Sequence, residues 1–105
     1  MKKIVNGKRY DTEAATEIAS VWNGCSRNDF KFLLERLYKT DSGAWFLAAE
    51  GGAMTRYAKV LEGGRARSGG EDILPLTPPE AKAWLESNRQ AEALETWFAS
   101  EIHDA

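Results

Sequence analysis

The side chains that most often catalyse reactions or bind metals are scarce in this sequence. It has one histidine, His103, near its C-terminal end, and one cysteine, Cys25. A zinc site takes several histidine or cysteine ligands, and a cysteine nucleophile needs a histidine held beside it. Nothing in the surrounding sequence brings these two residues together. We therefore expect no metal site, and we interpret Cys25 as a small buried residue that follows a helix end.

Motifs that bind nucleotides are missing as well. The Gly63-Gly64-Arg65 segment lacks the spacing and the lysine of a P-loop, and no glycine-rich dinucleotide fingerprint is present. We therefore expect no cofactor, and we expect that the protein is not an enzyme.

Glu35 and Glu50 are the carboxylates whose positions best suggest acid–base chemistry. They fall on the two arms of a predicted β-hairpin, so they can come near each other. Two buried carboxylates in different environments can act as acid and base. Charged residues on a hairpin are more often solvated surface groups, and we favour that interpretation.

The Gly51–Thr55 segment offers a second candidate site. If it begins a helix, its backbone N–H groups can bind an anion. Alternatively, Gly51 and Gly52 only reverse the chain close to the sheet, and we favour this simpler interpretation.

A loop rich in glycine and arginine is the feature that best fits nucleic-acid binding. It covers residues 63–70 and includes four glycines, Arg65 and Arg67. Basic side chains contact phosphates, and exposed aromatic side chains stack on bases. The sequence pI of about 5.4 argues against this function. The other residues of this hypothesis are Lys2, Lys3, Lys8 and Arg9, with Tyr10, Trp45 and Tyr57 as stacking aromatics.

The C-terminal third of the chain is acidic. Residues 71–105 hold eight Asp or Glu and two Lys or Arg, whereas residues 1–70 hold eight and twelve. Carboxylates on helices can imitate the phosphates that a basic partner binds, although they are more often an ordinary solvated face. We assign partner binding to Glu86, Glu92, Glu95, Glu101 and Asp104, together with Trp45 and Tyr57, which we expect to be exposed.

Turn signals divide the first half of the chain into short elements. Asn6-Gly7 predicts a hairpin between two short strands, and Asp41-Ser42-Gly43 predicts a second hairpin that spans residues 35–49. Between them, the 3- and 4-residue spacing of Ala15, Ile18, Ala19 and Trp22 predicts a helix that begins near Thr12. Residues 26–34 fit a helix or a strand, and we interpret them as extended.

The sequence of the second half of the chain predicts mainly helices. Residues 53–61 can form two helical turns, and Ile73–Leu76 reads as a short edge strand because Pro75 lacks an N–H. Thr77-Pro78-Pro79-Glu80 is a strong helix start, and that helix ends near Asn88. A last helix carries an apolar stripe from Ala91 to Ile102. We therefore expect an α+β fold, with a small, mostly antiparallel sheet and helices packed on one side.

Length and composition set further bounds. A chain of 105 residues with 43% hydrophobic residues has room for one domain, residues 1–105, with a core of its own. One cysteine allows no intrachain disulfide. The N-terminal segment lacks the apolar region of an export signal, and no apolar run approaches membrane-spanning length. We expect a soluble cytoplasmic protein.

Six segments of the chain look familiar when they are taken together: residues 6–13, 23–30, 37–40, 43–47, 50–58 and 69–77. The Glu50–Ala58 segment, for example, has the sequence Glu-Gly-Gly-Ala-Met-Thr-Arg-Tyr-Ala. These segments resemble a family of small proteins carried on bacterial mobile elements and phages. The resemblance covers about residues 4–87.

The genetic setting of that family suggests a function. Small proteins of mobile elements include anti-CRISPR inhibitors, so the resemblance implies an inhibitor of a host defence protein such as a Cas effector subunit. It supplies no catalytic residues, and the C-terminal helix lies outside the matched part. The sequence therefore leaves two main hypotheses, a non-enzymatic inhibitor of a defence complex and a nucleic-acid-binding accessory protein. An enzyme built on Glu35 and Glu50 is a third, which we rank last.

Overall fold

The computed structural model describes residues 1–61, 63–64 and 66–105. Within them the chain forms eight strands, two α-helices and a 3₁₀ turn. The strands are β1 (Lys2–Val5), β2 (Lys8–Asp11), β3 (Thr16–Trp22), β4 (Leu33–Lys39), β5 (Trp45–Gly51), β6 (Lys59–Val60), β7 (Arg67–Ser68) and β8 (Gly70–Leu76). The helices are α1 (Pro78–Ser87) and α2 (Ala91–Trp97), and the 3₁₀ turn is Ala99–Glu101.

A four-stranded antiparallel sheet in the order β3-β4-β5-β8 forms the centre of the fold. One face packs against α1 and α2 around a cluster that includes Leu37, Leu47 and Leu85. The small β1–β2 hairpin covers part of the other face, where Tyr10 packs on Phe46. The predicted α+β class is confirmed.

Both predicted hairpins are confirmed. β4 and β5 pair throughout their length, and the reversal between them has Gly43 at φ +92°. The β1–β2 turn has Asn6 at φ 51° and Gly7 at φ 76°, the two positive angles that a tight hairpin turn requires.

The predicted helix that begins near Thr12 is wrong, because residues 16–22 form the edge strand β3. The cause is a β-bulge between Glu17 and Ala19, where the pairing with β4 shifts by one residue. A bulge changes which residues face the core, so Ile18 and Ala19 both pack against the sheet-and-helix cluster. The adjacent apolar pair imitates the spacing of a helical face.

Two further predictions fail where glycines let the chain pack closely. Residues 53–57 form turns instead of a helix, and the following residues form the short strand β6. Residues 26–31 also form turns, so β4 begins only at Leu33. The strand predicted at Ile73–Leu76 is longer than expected, since β8 begins at Gly70.

The C-terminal helices follow their sequence signals. Thr77 caps α1 in a capping box with Glu80, as predicted. The last helix is shorter than its apolar stripe, because α2 ends at Trp97 and only the 3₁₀ turn follows it. Within the described residues, the helices are too short and too polar to span a bilayer.

Candidate interaction surfaces

Glu35 is the one charged side chain buried in the described core, at 4% exposure. It lies on β4 and faces the helices. Arg56 binds its carboxylate at 2.6 Å, and Trp84 of α1 donates its indole N–H at 3.0 Å. The Tyr57 hydroxyl donates a third hydrogen bond to the same carboxylate. These bonds fasten the turn after β5 and helix α1 to the sheet.

The favoured interpretation of Glu35 and Glu50 as solvated surface groups is wrong for Glu35, which is buried. The alternative of an acid–base pair does not fit the structure either. Glu35 of β4 pairs with Ala49 of β5. Glu50, the residue after Ala49, pairs with Leu34, the residue before Glu35. Successive side chains of a strand point to opposite faces. The two carboxylates therefore lie on opposite sides of the sheet and cannot act on one substrate.

Glu50 is held by two arginines on the face opposite the helices. Its oxygens accept from Arg27 at 2.7 Å and from Arg36 at 3.0 Å. The hydrogen bond from Arg27 is the main cause that lowers the pKa of Glu50 below its usual value. The group is a salt-bridge centre that ties the loop before β4 to the sheet.

Gly51 and Gly52 allow close chain packing and do not present an anion site. A Cβ on Gly52 would lie 2.5 Å from the carbonyl oxygens of Asp29 and Phe30. The N–H groups of Gly52 and Met54 already donate to the carbonyls of Phe32 and Phe30, both at 2.8 Å. The structure therefore agrees with the simpler interpretation of this turn.

The aromatic residues expected at an exposed surface are buried. Trp45 is 4% exposed and stacks on Phe98, with ring centroids 5.3 Å apart. Tyr57 and Tyr10 are also buried. The assignment of Trp45 and Tyr57 to partner binding is wrong, as is base stacking by these three residues, because the sheet uses their area to build its core.

The acidic residues assigned to partner binding are all exposed. We call them the acidic surface: Glu86, Glu92, Glu95, Glu101 and Asp104. Glu101 lies 3.4 Å from Lys82, and no other member forms an ion pair with a described residue. Trp97 ends α2 and Ile102 follows the 3₁₀ turn, and both are partly exposed apolar residues. The Trp97 ring packs against Trp45, and Lys39 Nζ lies 5.0 Å from its centroid.

The basic residues of the alternative hypothesis do not share one face. In the β1–β2 pairing, Lys3 lies opposite Tyr10 and Lys8 lies opposite Val5. Lys2 and Arg9 alternate with them and point to the other side of the hairpin. Lys3 is already bound to Asp72 at 2.9 Å. Arg67 is an exposed residue of β7, and Arg65 lies outside the described residues.

A cleft of about 530 Å³ opens at the end of the sheet where β3 finishes and β4 starts. We call it the loop cleft. Arg67 and Lys59 line it and form no ion pair with a described residue, whereas Arg27 is bound to Glu50. Asp29 and Glu71 line it as well, so its charge is mixed.

The sequence did not reveal the exposed apolar side chains around this end of the sheet. Trp22 ends β3 at 59% exposure, and Phe30 and Met54 are each 66% exposed in neighbouring turns. Exposed apolar groups gathered in one region often mark a binding surface. One signal in the sequence could have indicated their exposure. All three lie at or near turns that contain glycine, and side chains beyond a strand end are not covered by the sheet.

No three histidine, cysteine or acidic side chains converge as metal ligands within the described residues. Comparisons with protein-family models, curated proteins and solved structures find no match for this chain.

Proposed function

We propose that this protein is a non-enzymatic interaction module that inhibits a host defence system, such as a CRISPR-Cas effector complex, in the bacterial cytoplasm. The observation that supports it best is the acidic surface, whose carboxylates are exposed and, apart from Glu101, form no ion pair within the described part of the chain. The resemblance to proteins of phages and mobile elements suggests the class of target.

The acidic surface matches the chemistry of such a target. A CRISPR effector holds its nucleic acids in a positively charged channel that contacts the backbone. A row of carboxylates can occupy sites that normally bind phosphates, and complementary charge speeds the encounter. Inhibition of this kind requires contact area and charge, and no bond-making chemistry.

Trp97 and Ile102 are the apolar residues that we expect to take part in the same contact. They are 40% and 38% exposed and lie among the acidic residues along the chain. Interfaces concentrate binding energy in aromatic and large apolar residues surrounded by polar ones. We expect Trp97 to contribute most of the affinity and the carboxylates to contribute most of the association rate.

Charge reversal tests the proposal. We compare the wild type with the triple variant Glu86→Lys, Glu92→Lys and Glu95→Lys in a plasmid-interference assay and in co-purification with effector subunits. The matched control is Glu13→Lys, Asp41→Lys and Glu71→Lys, which changes net charge equally at exposed positions elsewhere. We expect the first triple variant to lose inhibition and the control to keep it.

Two outcomes contradict the proposal. One is full interference in the presence of the wild-type protein across the defence types of its hosts. The other is equal inhibition by both triple variants, which would place the contact away from the acidic surface.

Nucleic-acid binding is the second candidate, and the loop cleft favours it, because Lys59 and Arg67 line it and neither forms an ion pair with a residue that the structure describes. It predicts an affinity that falls steeply with salt and drops on Arg65→Ala combined with Arg67→Ala. The control is Lys82→Gln combined with Arg89→Asn, which removes two positive charges at α1 and the turn after it, where asparagine tolerates the positive φ of Arg89. A flat titration with DNA and RNA at low salt eliminates this candidate.

A further inference from the structure

The sheet has two outer strands, β3 and β8, and their outer edges differ. An outer strand presents unpaired N–H and C=O groups, which can pair with another chain unless the protein blocks them. In antiparallel sheets, alternate residues bond to the neighbouring strand and the others point outward. The pairing therefore identifies the outward residues of each edge.

The outer edge of β8 is blocked. Both backbone groups of Ile73 bond to side chains and not to β5, so Ile73 points outward, and so does Pro75 two residues later. The Ile73 N–H donates to the Asp72 carboxylate at 2.8 Å, and its carbonyl accepts from Lys3 at 3.3 Å. Pro75 has no N–H. This edge offers little to another strand.

The outer edge of β3 is open. Asn23 N–H donates to the Leu33 carbonyl at 3.1 Å, which fixes the alternation along the pair. Val21 and Ala19 then bond toward β4, and Ser20 and Trp22 point outward. By this alternation the backbone N–H and C=O of Ser20 and Trp22 do not bond to β4, and no turn, loop or side chain among the described residues bonds to them either.

An apolar groove of about 290 Å³ lies beside this open edge, and we call it the edge groove. Trp22 and Leu34 form part of its wall, and they are paired residues on the same face of the sheet. The Trp22 indole N–H donates to the Cys25 carbonyl at 2.7 Å, which holds the ring in place. An apolar cavity of about 150 Å³ already accommodates a benzene ring, so the groove can take an apolar side chain.

We propose that the open edge of β3 is a docking site for an extended segment of a partner protein. The segment adds a fifth strand through Ser20 and Trp22 and places an apolar side chain in the edge groove. Strand addition uses backbone hydrogen bonds for affinity and side-chain pockets for specificity. Alternate residues of the segment face the groove, so we expect one large apolar residue flanked by β-branched ones.

The size of the edge favours a peptide segment over a second copy of this chain. The bulge limits regular pairing to Ala19–Trp22. Four residues span about 14 Å of strand, and a strand of that length buries only a small part of the roughly 800 Å² per partner that a stable dimer interface buries. A short extended segment fits the available length.

The test uses short random peptides displayed as a library and selected on the full-length protein. Amide hydrogen exchange is then measured by NMR with and without the selected peptide. We expect exchange at Ser20 and Trp22 to be fast in the free protein and at least about tenfold slower in the complex. Exchange at Ala19 and Val21, which bond toward β4, stays slow in both.

Two variants separate this site from the acidic surface. Ser20→Pro removes an outward N–H, which an edge strand tolerates, and Trp22→Ala removes a wall of the groove. Each weakens the selected peptide about tenfold or more, since a missing hydrogen bond or apolar wall costs about 1–2 kcal/mol. The Glu86→Lys, Glu92→Lys and Glu95→Lys variant leaves peptide binding unchanged, whether or not it still inhibits a defence complex.

The proposal is overturned if no peptide is enriched, or if enriched peptides bind without protecting Ser20 and Trp22. It is also overturned if rising protein concentration alone protects these two amides, because the occupant would then be a second copy.

Discussion

The hydroxyl of Tyr57 donates a hydrogen bond to the carboxylate of Glu35, and both side chains are buried. The bond joins the turn after β5 to the middle of the sheet. The indole of Trp84 reaches the same carboxylate from α1, so one charged group connects three parts of the fold. A buried charge is tolerated here because each nearby donor is directed at it.

The first prediction concerns stability. Glu35→Ala leaves the Tyr57 hydroxyl and the Trp84 indole N–H without their acceptor, and we expect a loss of about 3 kcal/mol in the free energy of unfolding. Tyr57→Phe removes one donor and costs about 1–2 kcal/mol. Urea denaturation measures both, with the exposed Glu71→Ala as a control. A loss from Glu35→Ala no larger than the control's would contradict the role of this carboxylate.

The second prediction concerns alkaline pH. Burial, followed by the hydrogen bond to Glu35, raises the pKa of Tyr57 above its ordinary value of 10.0. A raised pKa stabilises the fold fully below pH 10, and this contribution is lost as pH rises toward the folded-state pKa. We expect the free energy of unfolding to fall above pH 10, and to fall less steeply in Tyr57→Phe. Identical slopes in the two proteins would refute this.

The third prediction concerns acidic pH. The arginines around Glu50 lower its pKa below the ordinary value of 4.5. A lowered pKa stabilises the fold above that value, and the contribution disappears as pH falls through the folded-state pKa. Glu50→Gln therefore lowers the free energy of unfolding, measured by urea denaturation, by about 1–2 kcal/mol at neutral pH and by much less in acid. The Glu71→Gln variant, which keeps both arginine contacts, serves as the control.

The fourth prediction concerns the close approach at Gly52. Its added Cβ would meet backbone oxygens that cannot move aside easily. We expect Gly52→Ala to cost about 2–3 kcal/mol or to prevent folding, because two chain segments must separate. Gly43→Asn is the comparison, since that turn is open and asparagine tolerates positive φ. Equal thermal stability of the two variants would contradict this, because it would show that the turn at Gly52 accommodates a Cβ without destabilising the fold.

The fifth prediction contrasts two tryptophans. Trp45 is buried against Phe98, so we expect Trp45→Ala to cost about 3–5 kcal/mol. Trp22 is 59% exposed, and Trp22→Ala should cost about 1 kcal/mol or less. Chemical denaturation of both variants provides the measurement. A larger loss at Trp22 would mean that its ring supports the core and not a binding surface.

Local turn and cap chemistry made part of this fold predictable. Asn6-Gly7, Asp41–Gly43 and the Thr77 capping box each act within a few residues, and each was confirmed. The bulge near Ile18 was not predictable, because it depends on pairing with β4, which lies far along the chain. A strand whose alternation is interrupted looks like a helix to any rule based on spacing.

The surfaces were predictable in charge but not in burial. The acidic residues of α1 and α2 are exposed, as helix amphipathicity suggested. Trp45 and Tyr57 were assigned to the surface only because they are aromatic, and the sheet buries them. The positions of Glu35 and Glu50 on opposite faces required the register of β4 and β5, which the turn alone did not define.

The four tryptophans occupy different environments, so their intrinsic fluorescence reports on different parts of the protein. Trp22 stands exposed at the open edge, and Trp97 is exposed at the end of α2 with its ring against Trp45. Trp45 is buried, and Trp84 is half-buried with its indole N–H bonded to Glu35. Replacing Trp22 or Trp97 in turn by phenylalanine shows which of the two exposed indoles a spectral change comes from, because Trp45 and Trp84 contribute equally to both variants. The emission shift that accompanies a complex can therefore tell which side of the molecule the partner covers, with no dye attached.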